Sequence, residues 1–416
     1  MLSGVIENVR GGLMKPEAFR KAERTRRTLN FSLSSTRVDG SRVKKKGIFS
    51  LDLDCTNRFL LAGSSDGSWY VHDTFNFTQS LDHEKKCVLR CSPRTHHTRS
   101  ISTVEWFPSD NGAFSTSGYD GFLCIWDANN PGQPVDKYDR EEPIYRHHTN
   151  PVSGSVIAVC AGGEVNLIDI RIGSSIQKLP EVHAEIKEVR WNPFHQSQLM
   201  VASQGGNLIE WDIRSTFQYK CYGVDQVRLS RRPVVTRGSS GITTDSTTAL
   251  LQAHTGSIDS MRFSSDGQEL YTFGASGKME VRRWKMGVTS DPCIGTLRYG
   301  KKHKGRGNFS IGVADNVDPP IVFAPNSTSV VVCDMKDCQA MKELVGHFKQ
   351  VNCFVYDETY QQGYSGGNDA GIIVWSGNKT TEQTYVEEKA KKYGCRESIE
   401  STFQPKPLID LDDDDD

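Results

Sequence analysis

The sequence predicts an all-β protein, and three features of the chain support that prediction. The first is an internal repeat. The residue pattern of the segment that begins near His183 and ends at Trp211-Asp212 recurs elsewhere in the chain. The second is the spacing of the copies, roughly 40–45 residues with a Gly-His start and a Trp-Asp end, which is typical of a propeller blade. The third is a series of short alternating runs, such as STVEWF and DSMRFS, that indicate strands with one buried face. Together they predict a seven-bladed β-propeller of WD repeats.

An N-terminal helix-loop-helix extension is expected before the propeller, in residues 1–27. The first helix has apolar residues at i, i+3, i+4 and i+7, and Gly11-Gly12 ends it. These apolar residues are Leu2, Val5, Ile6 and Val9. Neither helix is long enough to be stable alone in water, so each must dock on this protein's own propeller or on a partner.

The second helix begins near Pro16, which fits a first helical turn, and it is strongly basic from Arg20 to Arg27. The helix has only a thin apolar line, which is formed by Phe19, Ala22 and Leu29. Two interpretations remain open at this point. The helix is either a solvated helix on the propeller or one that inserts into an acidic groove of a partner.

Seven segments with the blade outline follow this extension, within a propeller that spans residues 28–375. They cover residues 47–75, 100–127, 148–171, 183–214, 254–284, 308–334 and 346–375. The alternating run at 28–34 is expected to form the outer strand of the last blade, because closing the ring removes open sheet edges. The Ser-, Thr- and Arg-rich stretch 215–253 predicts a long surface loop. Residues 376–416 predict an acidic, disordered tail.

A polar set recurs within the better blades, in which an Asp holds a His, the His holds a hydroxyl, and the hydroxyl meets a Trp N–H. The members are His97, Thr116, Asp120 and Trp126 in the second blade, and His347, Ser365, Asp369 and Trp375 in the seventh. By residue type the second set resembles a catalytic triad. Its recurrence in another blade favours a structural role, so no catalytic residue is expected.

Composition and charge exclude several classes of function. The formal net charge of -1 gives no global drive toward nucleic acid or a membrane surface, and no apolar run is long enough to span a bilayer. The eleven cysteines are scattered, which is typical of reduced thiols in an intracellular protein. The pairs His96-His97 and His147-His148 lack companion ligands, so neither a metal nor a cofactor is expected. The charge is uneven, with twelve Lys and Arg against four Asp and Glu in residues 1–46.

Two arginines follow blade-ending aspartates by two residues, Arg214 after Asp212 and Arg171 after Asp169. This position lies at the end of the third strand of a blade, next to one rim of the disc. An arginine there can form a bidentate pair with a partner's carboxylate, or it can pair with the preceding aspartate. For Arg214, pairing with a partner's carboxylate is slightly favoured over pairing with Asp212. For Arg171, the two interpretations are equally supported.

Taken together, these features resemble the Cockayne syndrome group A family, WD-repeat factors of transcription-coupled DNA repair. The similarity spans nearly all of residues 1–375 and keeps the order of the blades, with a poor match at the sixth blade and at 215–253. The stretches that carry it are RKAERTRRTL at 20–29, VEWFPSDNGAFSTSGYDGFLCIWD at 104–127, YRHHTNPVS at 145–153, SSDGQELYTFG at 264–274 and GHFKQVNCFVYDETYQQGYSGGNDAGIIVW at 346–375.

The resemblance implies a nuclear, non-catalytic substrate receptor of a cullin-4 RING ubiquitin ligase. In that family the helix-loop-helix and one rim bind the ligase adaptor, the large subunit of the damaged-DNA-binding complex. The other rim engages the stalled RNA polymerase II complex, including a Cockayne syndrome group B-like ATPase. The implied adaptor contacts here are Val5, Ile6, Val9, Phe19, Arg20, Arg24, Arg27, Asp212 and Arg214. The alternative is a WD-repeat scaffold in chromatin or RNA processing with no ligase role.

Overall fold

The computed structural model describes residues 15–34, 36–38, 46–75, 84–92, 94–179, 185–215, 218–231, 237–238, 241–242, 251–275, 277–303 and 308–377. The chain divides into two units, residues 1–378 and 379–416, and every described residue lies in the first. The predicted first helix, with Val5, Ile6 and Val9, lies outside the described residues. The predicted tail does too, apart from Ser376 and Gly377.

Seven antiparallel sheets form the seven blades of a propeller. We letter the strands of each blade from a, which lines the central channel, to d at the outside. Blade 1 consists of Ile48–Leu53, Phe59–Ser64, Trp69–Asp73 and Cys87–Arg90. Blade 2 consists of Ile101–Phe107, Asp110–Gly118, Phe122–Asp127 and Asp136–Asp139. Blade 3 consists of Ile144–Thr149, Val156–Ala161, Glu164–Asp169 and Ser174–Leu179. Blade 4 has a fifth strand and consists of Ile186–Trp191, Gln198–Ser203, Leu208–Asp212, Gln218–Tyr222 and Val227–Arg231.

The remaining blades complete the ring. Blade 5 consists of Ser260–Phe263, Glu269–Gly274, Gly277–Lys285 and Cys293–His303. Blade 6 consists of Gly312–Ala314, Ile321–Asn326, Ser329–Asp334 and Gln339–Val345. Blade 7 consists of Val351–Asp357, Gln362–Gly367, Ile372–Ser376 and, as its outer strand, Ser32–Leu33. Two short pairs lie outside the blades, Arg37–Val38 with Glu84–Lys85 and Arg237–Gly238 with Gly241–Ile242.

The apolar core is divided among the interfaces between neighbouring blades. Seven buried clusters fill seven interfaces, and each combines residues of two adjacent sheets. The strands alternate the face they present, so a blade buries one set of side chains against each neighbour. Among the residues that the structure describes, no single blade has a core of its own, and the stability of each blade therefore depends on the two beside it.

The ring closes at the interface between blades 6 and 7, through the segment that follows the helix. The helix, α1, covers Pro16–Leu29, so it ends two residues later than the predicted boundary at residue 27. Phe31 is fully buried in that interface, and its ring stacks on Phe323 with 5.5 Å between centroids. Ser32 and Leu33 then pair with Ser376 and Trp375 of strand 7c. The closing strand lies inside the predicted range 28–34 but is shorter, because Thr28 and Leu29 are helical. In the described residues no helix is long and apolar enough to cross a membrane.

The prediction of a surface loop at 215–253 is wrong for its first part. Gln218–Tyr222 and Val227–Arg231 continue the sheet of blade 4 as its outer strands. The physical reason lies in Cys221 and Tyr222, which are each 1% exposed and pack in interfaces on either side of blade 4. A few well-placed apolar side chains thus outweigh a composition that is otherwise typical of a loop.

Replacing Phe31 with alanine should destabilise the propeller by about 3–5 kcal/mol, because it leaves a cavity in the interface where the ring closes. The measurement is the urea or thermal midpoint of the purified protein. Leu33→Ala is the matched control, since Leu33 lies two residues further on and is 44% exposed. It should cost about 0.5 kcal/mol or less. Equal losses in the two variants would contradict this account of closure.

Candidate functional site

The strand order assigns each turn to one of two rims. Neighbouring strands within a blade are antiparallel, so the a–b and c–d turns lie at one end of the sheets and the b–c turns at the other. Helix α1 contacts the first of these ends, which we call the helix rim. The end that carries the b–c turns is the opposite rim.

Helix α1 docks on the a–b turns of blades 6 and 7 through a polar face. Thr25 Oγ1 accepts the backbone N–H of Asp318 at 3.0 Å and lies 3.1 Å from its carbonyl oxygen. Thr28 Oγ1 lies 3.3 Å from the hydroxyl of Tyr356, and Lys21 Nζ is 3.9 Å from an Asp318 carboxylate oxygen. Thr25 and Thr28 are buried in this contact. The inner face of the helix therefore packs on the chain's own propeller, as in the first of the two interpretations. Its outer face is left exposed to solvent.

The predicted adaptor contacts on the helix occupy this outer face and its edges. Arg20 is exposed, while Phe19, Arg24 and Arg27 are half-buried. Arg27 Nε donates to Glu23 at 3.0 Å, and Arg26 donates to the same carboxylate through two nitrogens. The hydrogen bond from Arg26, aided by Arg27, lowers the pKa of Glu23 to about 2. Arg20 forms no ion pair with any residue that the structure describes, so its guanidinium is available to a partner.

Blades 3 and 4 present two matching arginine–aspartate pairs on the helix rim. Arg214 donates to Asp212 through Nε at 2.9 Å and Nη2 at 2.7 Å, and Arg171 donates to Asp169 through Nε at 3.1 Å and Nη2 at 2.7 Å. Each hydrogen bond holds the pKa of the aspartate below its ordinary value. The arginine side chains remain 76% and 71% exposed. Both arginines therefore pair with the preceding aspartate, and that pairing fixes the direction of a guanidinium that still faces solvent.

At several junctions between neighbouring blades, hydrogen bonds join the a–b turns of the helix rim into a belt. Asn150 Nδ2 of blade 3 donates to Gln196 O of blade 4 at 2.7 Å, and Asn192 Nδ2 of blade 4 donates to Gly267 O of blade 5 at 3.4 Å. Ser265 N of blade 5 donates to Asp315 of blade 6, whose turn holds the helix. Thr359 Oγ1 of blade 7 accepts Asn57 Nδ2 of blade 1 at 2.7 Å. The blade 6 turn that holds the helix is thus hydrogen-bonded to the neighbouring turn of blade 5. Sequence reasoning missed this belt, although the Asn-Pro pairs at 150–151 and 192–193 were a signal for its turns.

Exposed apolar side chains accompany these polar groups on the helix rim. All come from a–b or c–d turns, and they are Phe75, Val152, Ile172, Phe194 and Tyr360. Phe75 of blade 1 and Tyr360 of blade 7 lie with their ring centroids 6.0 Å apart. Exposed aromatic and aliphatic groups beside arginines have the composition of a protein-interaction surface.

The two predicted polar sets come together inside their blades. In blade 7, His347 Nδ1 lies 2.9 Å from Asp369 Oδ2, His347 Nε2 lies 2.8 Å from Ser365 Oγ, and Trp375 Nε1 donates to the same oxygen at 2.8 Å. Burial alone would raise the pKa of Asp369, but its bonds to His347 and to backbone N–H groups outweigh burial and lower it. Ser365 is fully buried, so its hydroxyl has structural partners and no access to a substrate.

Blade 2 repeats this arrangement. His97 Nδ1 lies 3.1 Å from Asp120 Oδ1, and Thr116 Oγ1 lies 2.8 Å from both His97 Nε2 and Trp126 Nε1. The set occurs in two blades that are separated by blade 1. This recurrence indicates that its role is structural.

A third set lies in blade 5 and was missed from the sequence. His254 Nε2 is 2.7 Å from Thr272 Oγ1, which also accepts Trp284 Nε1 at 2.8 Å. The carboxylate comes from Glu280 of strand 5c, 3.4 Å from His254 Nδ1, and not from an Asp in the b–c turn. The set could not be predicted from the sequence because blade 5 lacks the Asp that the pattern requires in the b–c turn. His147 and His148 lie inside strand 3a, the first strand of blade 3.

The fold and its two rims define the class of this protein, a seven-bladed WD-repeat β-propeller, a fold that typically mediates protein interactions. The WD domain, G-beta repeat family matches residues 35–73 and 85–127. The chain is 24% identical to the WD repeat-containing protein ATCSA-1 of Arabidopsis thaliana, with 92% of this chain and 97% of the relative covered. It is 26% identical to Radiation-sensitive protein 28 of Saccharomyces cerevisiae over 45% of this chain and 39% of the relative. A shorter similarity, 26% over 28% of this chain and 12% of the relative, links it to the GATOR2 complex protein Wdr59 of Drosophila melanogaster.

Replacing Thr116 with valine should destabilise the protein by about 1–3 kcal/mol, because the buried His97 and Trp126 lose the oxygen they share. Thr116→Ser is the matched control, since blade 7 has a serine at the equivalent position. It should cost only about 0.8 kcal/mol for one lost methyl group. Chemical denaturation measures both, and a serine variant as unstable as the valine variant would show that the hydroxyl is not what matters.

Proposed function

We propose that this protein is the substrate-recognition subunit of a cullin-4 RING E3 ubiquitin ligase in transcription-coupled nucleotide excision repair. Similarity to ATCSA-1 over 92% of the chain supports a WD-repeat protein like those of the Cockayne syndrome group A family. The observation that carries the proposal is structural. The basic helix and the exposed arginines of blades 3 and 4 share one rim.

The helix rim is the surface proposed for the ligase adaptor, the large subunit of the damaged-DNA-binding complex, and through it for cullin-4 and a RING protein. Hydrogen bonds join several of its a–b turns without a partner present, so less conformational entropy is lost on docking. Arg20 and Arg24 on the helix, with Arg171 and Arg214 on the blades, make this rim suited to carboxylates of a partner. Asp212 orients Arg214 and is a supporting residue in this proposal.

The opposite rim is left for the repair complex. Its b–c turns lie at the other end of the sheets, so a partner there and an adaptor on the helix rim can bind together without overlap. The proposed partners are the stalled RNA polymerase II complex and a Cockayne syndrome group B-like ATPase, which places the protein in the nucleus. The chain itself supplies no catalytic step in this proposal and acts by bringing ligase and substrate together.

Copurification of the intact chain from nuclear extract tests the proposal as a whole. The adaptor and cullin-4 should elute with the protein at constant ratio through size-exclusion chromatography. Chromatin or RNA-processing complexes in their place, with neither adaptor nor cullin, would favour the alternative of a scaffold without a ligase role.

Replacing Arg171 and Arg214 together with alanine should weaken adaptor binding by about tenfold or more, because two ordered guanidiniums are lost from one interface. The affinity is measured by surface plasmon resonance with purified adaptor, and the melting temperature should stay within about 2 °C of the unmodified protein. Arg99→Ala is the control, because Arg99 is exposed and precedes strand 2a at the opposite rim. The two variants should differ clearly in affinity, and unchanged binding by the double variant would exclude these arginines from the interface.

Removing residues 1–20 should abolish adaptor capture while the propeller remains folded. The described polar contacts between helix and blades begin at Lys21, and the buried Thr25, Thr28 and Phe31 all remain. The melting temperature and a pull-down with purified adaptor are the two measurements. Capture at full strength by the shortened chain would rule out the first part of the helical extension as the main contact.

A further inference from the structure

The central channel contains a cavity that the proposed function does not use. Its volume is about 210 Å³, and residues of strands 1a to 5a line it together with Ser310. Cys55, an exposed residue of the blade 1 a–b turn, is also in its wall, so the cavity reaches the helix rim. This volume corresponds to about seven water molecules at ~30 Å³ each, which is enough for a small polyatomic ion.

Two guanidiniums in the cavity wall have unused hydrogen-bond donors. Arg190 is 6% exposed, and its Nε donates to Glu188 at 2.8 Å. Its two terminal amino groups have no hydrogen-bond partner among the described residues. Arg262 makes two long bonds, from Nε to Ile311 O and from Nη2 to Ser310 Oγ, both at 3.3 Å. Within the described part of the chain, no carboxylate lies within 4 Å of its guanidinium.

The carboxylates around these guanidiniums do not neutralise them fully. Glu188 is shared, since it accepts Arg146 Nε at 2.7 Å through one oxygen and Arg190 Nε at 2.8 Å through the other. Asp52 accepts the backbone N–H of Trp106 at 2.8 Å, and Glu105 accepts that of Thr149 at 2.9 Å. Each of these two carboxylates keeps one oxygen without a hydrogen bond from a side chain that the structure describes.

Protonation leaves a surplus of positive charge near neutral pH. Burial raises the pKa of Glu105 to about 8 and that of Asp52 to about 6, so Glu105 is mainly neutral and Asp52 mainly charged. Burial also lowers the pKa of His147 to about 3 and that of His148 well below its ordinary value, so both rings are neutral. The charged groups are then three arginines, Arg146, Arg190 and Arg262, against two carboxylates, Asp52 and Glu188.

We propose that this cavity binds a small inorganic oxyanion, such as sulfate or phosphate, between the two terminal amino groups of Arg190 and the Nη1 amino group of Arg262. A planar guanidinium with two free donors matches the spacing of oxygens on such an anion. Arg190 is only 6% exposed, so its interaction with the anion is weakly screened by salt. Bound there, the anion joins the inner strands of the neighbouring blades 4 and 5, and Arg262 connects it to Ser310 beside blade 6.

Inorganic sulfate is the suitable probe, because its charge does not change between about pH 6 and pH 9. Calorimetric titration of the full chain should give one site, and 5 mM sulfate should raise the melting temperature above that in sodium chloride of equal ionic strength, since ligand binding stabilises the folded state. The low concentration matters because sulfate at high concentration stabilises any protein by exclusion from its surface. Arg190→Gln and Arg262→Gln should each lose the heat and the shift, while Arg99→Gln, an exposed arginine on the opposite rim, should keep both. No heat with the unmodified protein, or equal shifts in all four proteins, would overturn the proposal.

The pH dependence supplies a second test that needs no arginine variant. Raising the pH through about 8 ionises Glu105 and should weaken sulfate binding by roughly tenfold, because a carboxylate then faces the anion. Glu105→Gln removes that titration, so this variant should bind sulfate equally well at pH 7 and pH 9. The same loss of affinity with and without Glu105 would show that the anion does not occupy this cavity.

Discussion

The structure depends on one contact, the insertion of the segment after helix α1 between blades 6 and 7. Each blade buries its side chains against its neighbours, so an unclosed ring would expose an apolar face and an unpaired edge at the same place. Phe31 fills the interface, and Ser32–Leu33 completes the last sheet. Lys342 Nζ also donates to the carbonyl oxygen of Phe31 at 2.6 Å, which ties the closing segment to the outer strand of blade 6. The channel and both rims have defined shapes only because this closure is made.

Closure also determines where the helix lies. Leu29 packs at the edge of the same buried cluster as Phe31, so the helix cannot leave the helix rim without exposing the closing segment. Thr25 and Thr28 use the polar face of the helix for docking, and the arginines are left toward solvent. The position of the docked basic helix on the helix rim is therefore a product of the way the ring closes. This is the physical link between the fold and the proposed adaptor surface.

Much of this architecture could be predicted from the sequence, because repetition makes each blade evidence for the others. The closing strand and the His, hydroxyl, Asp and Trp sets of blades 2 and 7 follow from residue spacing alone. Elements without a repeat were harder to predict. The outer strands of blade 4 lie in a Ser-, Thr- and Arg-rich stretch where Cys221 and Tyr222 decide the packing. The set of blade 5 takes its carboxylate from a strand, and the pairing of Arg214 with Asp212 was one of two open interpretations. The channel cluster has no local pattern at all, because Asp52, Glu105, Arg190 and Arg262 come from four different blades and meet only when the seven blades form a ring.

The central claim is that the rim carrying helix α1 is the surface that holds the ligase adaptor. Hydrogen–deuterium exchange of the intact chain, with and without purified adaptor, tests it most directly. The account predicts slower exchange on binding in residues 16–24 and in the a–b and c–d turns near residues 152, 172, 194 and 214. The b–c turns near Gly67, Gly121 and Ala370 should exchange at the same rate in both samples. Protection of those b–c turns, with no change in the helix, would contradict the account.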